Sequence, residues 1–170
     1  MTEPLNFTIK ENADDFENVA IEIHNSLKNQ NLSEFEAHNQ IMIIRELVET
    51  GIKSDDSQIE SGNVTIHIFV EQKSVTVEVR KPVSNKSYAR LEELDKAIQW
   101  IRGYQNPVDP YFTILKEICF ASHEIQSVAH GLVKLAYETG AVFDFYVSEN
   151  NILNLSAIKY FHRETREVSD

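Results

Sequence analysis

Two pairs of alternating apolar segments constrain the fold of this chain more than any other feature of its sequence. In residues 63–70 and 75–79 every second side chain is a Val or an Ile, and four residues separate the two segments. A second pair occupies 142–147 and 152–160, on either side of a turn at 149–151. Alternation indicates half-buried strands, and a short spacer between two of them indicates an antiparallel hairpin. The sequence therefore predicts two hairpins.

Amphipathic helices and one further strand account for most of the remaining chain. A strand is predicted over 4–10, and apolar spacings of three and four predict helices that occupy roughly 13–29, 33–53, 91–101, 110–118 and 123–138. Strands that come as hairpins exclude a doubly wound parallel sheet. The predicted fold is α+β, a two-layer α/β sandwich whose mixed, mostly antiparallel sheet is covered by helices on one face. The other face, partly exposed, is a natural site for a protein partner.

Composition narrows the setting and the partners. The 170 residues suffice for a single domain, predicted over 1–161, followed by a charged tail at 162–170. The formal net charge of −11 argues against nucleic acid as a partner, because a phosphate-backbone binder needs a basic face. A single cysteine excludes an intramolecular disulfide, and no apolar stretch is long enough to span a membrane. We expect a cytoplasmic protein without membrane segments.

The order of the ten elements, β-α-α-β-β-α-α-α-β-β, resembles the histidine-kinase-like ATPase (GHKL) fold, over about residues 4–161. The length is most similar to the anti-sigma-factor serine kinases. That resemblance implies a site for ATP with Mg²⁺ and a role in partner switching, with a STAS-domain antagonist or a sigma-like factor as the partner. A homodimer is also typical of that family. Three stretches of sequence carry the resemblance further.

The first stretch is residues 45–53 of the second helix. In the family this helix presents a Glu as general base, an Asn that holds Mg²⁺ and a basic residue. Glu46 matches the general base and Lys53 matches the basic residue, whereas Thr50 stands at the metal-binding position. A Thr hydroxyl is a shorter ligand than an amide, so the resemblance implies a weakened metal site.

The second and third stretches lie at 75–83 and 128–135. The family has an Asp that accepts the adenine amino group where this chain has Lys81, which reverses the hydrogen-bonding role. At the head of the later helix the family has two glycines that admit a phosphate. Here Ala129 replaces the first, and Gly131 and Leu132 retain the rest of the pattern.

Each of these residues also has a purely structural interpretation. A Glu on a helix face is more often solvated or paired with a neighbour, here Arg45 or Lys53. Gly131 is equally consistent with close packing of two helices. His38, His123 and His130 lack the spacing of a metal site. Cys119 and Trp100 lie on apolar helix faces and are predicted to pack rather than to react or bind.

The resemblance implies a bacterial regulator of the partner-switching type that acts by protein–protein interaction and has a degenerate ATP site without a bound cofactor. One alternative is an active serine/threonine kinase that uses Glu46, ATP and Mg²⁺ on a STAS-domain antagonist. Another is an unrelated α+β binding domain. The resemblance requires both hairpins in one sheet, with the helix at 33–53 packed against it.

Overall fold

The structure is a computed structural model, and it describes residues 3–10, 13–53, 63–84, 87–120 and 128–161. Ten elements follow in the predicted order. They are β1 (Leu5–Ile9), α1 (Ala13–Asn29), α2 (Glu34–Lys53), β2 (Val64–Val70), β3 (Ser74–Pro82), α3 (Tyr88–Arg102), α4 (Val108–Phe120), α5 (Val128–Thr139), β4 (Val142–Val147) and β5 (Ile152–Tyr160). The predicted tail at 162–170, and the start of the helix predicted from 123, lie outside the described residues.

The strands form one five-stranded sheet in the order β1-β2-β3-β5-β4. Both predicted hairpins are present, β2–β3 and β4–β5, and the central pairing of β3 with β5 joins them. All four pairings of the described strands are antiparallel. The sequence predicted a mixed, mostly antiparallel sheet, and these strands form a wholly antiparallel one. The reason is that the long helical connection from β3 returns the chain to β4, and the tight turn at 148–152 then reverses it beside β3.

Helices cover one face of this sheet, which confirms the two-layer sandwich. α2 lies at the centre of the helical layer and contacts β3, β5, α1 and α5. The strands supply alternate side chains to the interface, including Val75, Val77 and Val79 of β3, all fully buried. α3 and α4 pack beside α5, so residues 88–120 form a helical layer with buried positions of its own. Burial of this apolar surface is the main source of stability.

Local hydrogen bonds explain where the helices begin and end. The Ser33 hydroxyl accepts from the Glu36 N–H at 3.1 Å, which is the predicted N-cap of α2. α4 begins two residues before the predicted Pro110, because the Asn106 side chain caps the N–H groups of Val108 and Asp109. α5 ends at Gly140, whose φ of 69° is a left-handed conformation that favours glycine.

Candidate functional site

The predicted general base and the retained glycine of the phosphate motif meet where α2 packs against α5. Glu46 projects from α2, and its carboxylate lies directly over Gly131 in the first described turn of α5. A Cβ atom added to Gly131 would overlap this carboxylate. The absence of a side chain at Gly131 therefore leaves the space that the Glu46 carboxylate occupies. The carboxylate also complements the positive end of the α5 dipole.

A groove of about 340 Å³ runs beside this contact along α2 and α5. Its floor is apolar, with Ile41, Met42 and Leu135, and its edges carry exposed charge. Lys134 pairs with Glu138 across one turn of α5 at 3.8 Å. Arg45, on the opposite edge, pairs with Glu17 of α1 at 2.8 Å and lies over the Phe16 ring. Glu46 and Gly131 thus line an accessible groove.

The other predicted nucleotide-site residues are buried. Thr50 is 2 % exposed and Lys81 is 4 % exposed, whereas Leu132 is fully enclosed in the core. Thr50 follows Glu46 by four residues and therefore shares its side of α2. Lys53 ends α2, and its side chain lies outside what the structure describes. The structure therefore brings Glu46 and Gly131 together at a surface groove and places Thr50, Lys81 and Leu132 in the interior.

Two lysines in the central strands point toward the helical layer. Lys81 of β3 follows Val79 by two residues, and Lys159 of β5 follows Ala157 by two, so both occupy inward positions of their strands. Lys159 pairs with Glu36 of α2 at 3.1 Å, and its ammonium lies 5.6 Å from the Phe35 ring centroid. The alternation of inward and outward positions along each strand predicts that both lysines are buried. Sequence reasoning used it for the valines and overlooked it for the lysines.

The opposite face of the sheet is not covered by helices among the described residues. One row across it is polar and runs through Asn6, His67, Glu78, Ser156 and Asp144. Partial burial, and secondarily the nearby Arg80 cation, lower the pKa of His67, while the Glu78 carboxylate acts in the opposite direction.

Aromatic side chains flank the polar row of this open face. Tyr146 and Tyr160 are each more than half exposed, one on β4 and the other at the end of β5. Exposed aromatic rings beside hydrogen-bonding groups are typical of surfaces that bind proteins.

The described residues form neither a metal-binding cluster nor a membrane-spanning helix. No group of three or more His, Cys, Asp or Glu side chains in these ranges is arranged to hold a metal ion. Within the same ranges, no helix combines the length and the apolar character that crossing a bilayer requires.

Comparison with known proteins yields a structural relative. No family model and no curated protein matches the sequence. The structure is similar to a chain in the crystal structure of the SiaB–SiaC complex from Pseudomonas aeruginosa, with a TM-score of 0.64 and 13 % sequence identity. The match covers 92 % of this chain and 89 % of that one. The two proteins therefore share a fold over nearly their whole length.

Proposed function

We propose that this chain is a bacterial regulator of the partner-switching type, which acts by binding another protein. It uses the scaffold of a histidine-kinase-like ATPase in which the nucleotide site is degenerate. The partner class that the family resemblance implies is a STAS-domain antagonist or a sigma-like factor.

The shared fold supports the regulatory part of this proposal. The structural relative was crystallised as one component of a complex of two proteins. In addition, both hairpins of this chain lie in one sheet with α2 packed on it, which is the arrangement that the resemblance requires. This arrangement counts against an unrelated α+β binding domain. Fold alone does not establish function, which depends on the residues of the site.

The position of the Glu46 carboxylate is the main observation that supports a degenerate nucleotide site. In the family, the head of this helix receives a phosphate on its backbone N–H groups. Here a carboxylate of the chain itself lies against Gly131 at that place. Two anions at one helix end repel each other, so a phosphate would have to displace Glu46.

Burial of Lys81 supports the same conclusion at the adenine end. A cation replaces the acceptor, and it is enclosed in the interior rather than presented to a ligand. Thr50, at the metal-binding position, is also enclosed. The residues present therefore do not fit ATP with Mg²⁺.

Titration calorimetry with purified STAS-domain and sigma-like proteins of the same organism tests the proposal. We expect one of them to bind with the same affinity in the presence and absence of Mg-ATP. Binding that requires Mg-ATP, or the absence of binding by every member of both classes, would contradict it.

The open sheet face is the surface that we expect the partner to contact. Tyr146→Ser should weaken binding about ten-fold, since exposed tyrosines in interfaces are often hot spots. Tyr88→Ser is the matched control, because Tyr88 is 64 % exposed but lies on α3 in the helical layer. Equal affinities of the two variants would place the interface elsewhere.

An active serine/threonine kinase is the second candidate. The observation that favours it is that the chain retains two residues of the family pattern, Glu46 at the general-base position and Gly131 at the phosphate-binding position. Incubation of the partner with Mg-ATP and mass spectrometry would detect transfer. If phosphorylation occurs and Glu46→Ala abolishes it, the kinase replaces the degenerate regulator as the function.

A further inference from the structure

A second cavity lies at the far end of α5, away from Glu46. It has a volume of about 390 Å³, is open to solvent on one side and is lined by the ends of α3 and α5, the loop at 103–107 and the start of β4. Its inner walls are apolar and buried, with Ile98, Ala136 and Phe143. A volume in this range, with apolar walls and few polar groups, is typical of small-molecule sites.

Arg102 is the cation at the rim of this cavity. Its Nη1 contacts Oδ1 of Asp144 at 3.3 Å, and the two side chains are about half exposed. A long, solvated ion pair of this kind contributes little stability and is easily exchanged. The same Asp144 oxygen also accepts from the Phe145 N–H at 2.9 Å. Asp144 therefore keeps a hydrogen bond if Arg102 turns to another anion.

We propose that this cavity binds small amphipathic carboxylates, with the apolar part between α3 and α5 and the carboxylate on Arg102. The guanidinium offers several donors, so it can hold a ligand carboxylate without Asp144 being left unpaired. Gln105, exposed beside it, adds an amide donor at the rim.

This site is separate from the groove of the proposed function. Gly131 and Gly140 are nine residues apart along α5, which corresponds to about 13 Å of helix. The inference therefore neither requires nor excludes the partner-switching role.

Decanoate, used below its micelle concentration, is a suitable probe, and the protein carries its own reporter. Trp100 is the one tryptophan of the sequence, and its ring lies 5.1 Å from that of Tyr104, which lines the cavity. We expect saturable binding of decanoate to shift Trp100 fluorescence. Decanol, which has the same chain length without the charge, should bind about five-fold more weakly, because it lacks a charge-assisted bond to Arg102.

Two substitutions should change the affinity in opposite directions. Arg102→Gln should weaken decanoate binding about five-fold, and Asp144→Asn should strengthen it about two-fold by removing the competing anion. Loss of folding cannot produce the second result. Lys96→Gln and Glu92→Gln are matched controls, because this exposed pair on the same helix, 2.7 Å apart, changes net charge equally without lining the cavity.

Three results would overturn the assignment. One is the absence of saturable decanoate binding to the wild-type chain. Another is equal affinity for decanol and decanoate. The third is a response of the Arg102 and Asp144 variants that matches that of the Lys96 and Glu92 controls.

Discussion

A glycine lies near each end of α5, and the surroundings of the two glycines differ. At the first end, Gly131 lies under the Glu46 carboxylate, and the chain fills the space that the missing side chain leaves. At the other end, a Cβ on Gly140 would meet nothing within 4 Å, and an apolar cavity opens beside it. One helix thus lies against a carboxylate near its first end and borders an apolar cavity at its other end.

The physical cause of the difference is the neighbour that each end faces. The first end packs against α2, whose Glu46 side chain is long and flexible enough to reach the helix backbone. The last turn faces the end of α3 and the start of β4, where the small residues Ala136 and Ala141 leave space between the elements. The side chains around each glycine therefore determine its role.

The largest effect is expected from the core contact that Leu132 makes near the start of α5. Leu132→Ala should lower the free energy of unfolding by about 3 kcal/mol, because a fully buried leucine leaves a cavity when truncated. Urea denaturation measures the change. Lys134→Ala, on the exposed side of the same helix, should change stability by less than about 0.5 kcal/mol. Similar losses in both variants would mean that α5 is not anchored through Leu132.

The second-largest loss of stability is expected from the hydrogen bonds at the end of α5. Thr139 donates through Oγ1 to the Leu135 carbonyl at 2.7 Å, and the Ala141 N–H donates to the same hydroxyl at 3.2 Å. Thr139→Val should cost about 1.5 kcal/mol, because it leaves a buried N–H without its acceptor. Thr113→Val on α4 is the control, since its hydroxyl makes one bond at an exposed position. An equal cost for the two would contradict this role of Thr139.

Gly140→Ala measures the effect of backbone conformation on stability separately from that of packing. The added methyl group has free space, so the expected loss of about 1 kcal/mol comes from the positive φ alone. Gly140→Asn should lose less, because asparagine tolerates the left-handed region. Thermal unfolding that ranks asparagine below alanine would show that another interaction determines the effect.

Gly131→Ala should change stability least, by less than about 0.5 kcal/mol. Alanine gains up to about 1 kcal/mol of helix propensity, and displacement of the flexible Glu46 carboxylate offsets it. In a Glu46→Ala background the same substitution should stabilise by about 1 kcal/mol, since nothing remains to displace. A double-mutant cycle measures this coupling, and additive effects would show that the two residues do not interact.

The sequence predicted the helices and strands far better than it predicted the contacts of the candidate site. The period of two in β2 and β3 and the stop at Gly140 are local signals, so the hairpins and the end of α5 follow directly from them. The contact of Glu46 with Gly131 joins residues far apart in the chain. No local pattern records how closely α2 and α5 approach, and so the sequence left the two interpretations of Gly131 open.

Lys81 shows how two kinds of sequence reasoning address different properties of one residue. Alignment with a family motif placed it at a ligand site, whereas its inward position in β3 predicts burial without any motif. The cavity beside Arg102 was not predicted at all, because it lies between α3, α5 and the start of β4, which come together only in the folded chain.

Titration of the wild-type protein with Mg-ATP tests the central claim most directly. We expect no saturable heat of binding in the micromolar range, and no increase in thermal stability at millimolar nucleotide. A ligand with a micromolar dissociation constant would stabilise the chain by about 4 kcal/mol at a thousand-fold higher concentration. Micromolar binding with such stabilisation would show that Glu46 yields to the nucleotide and that the site is intact.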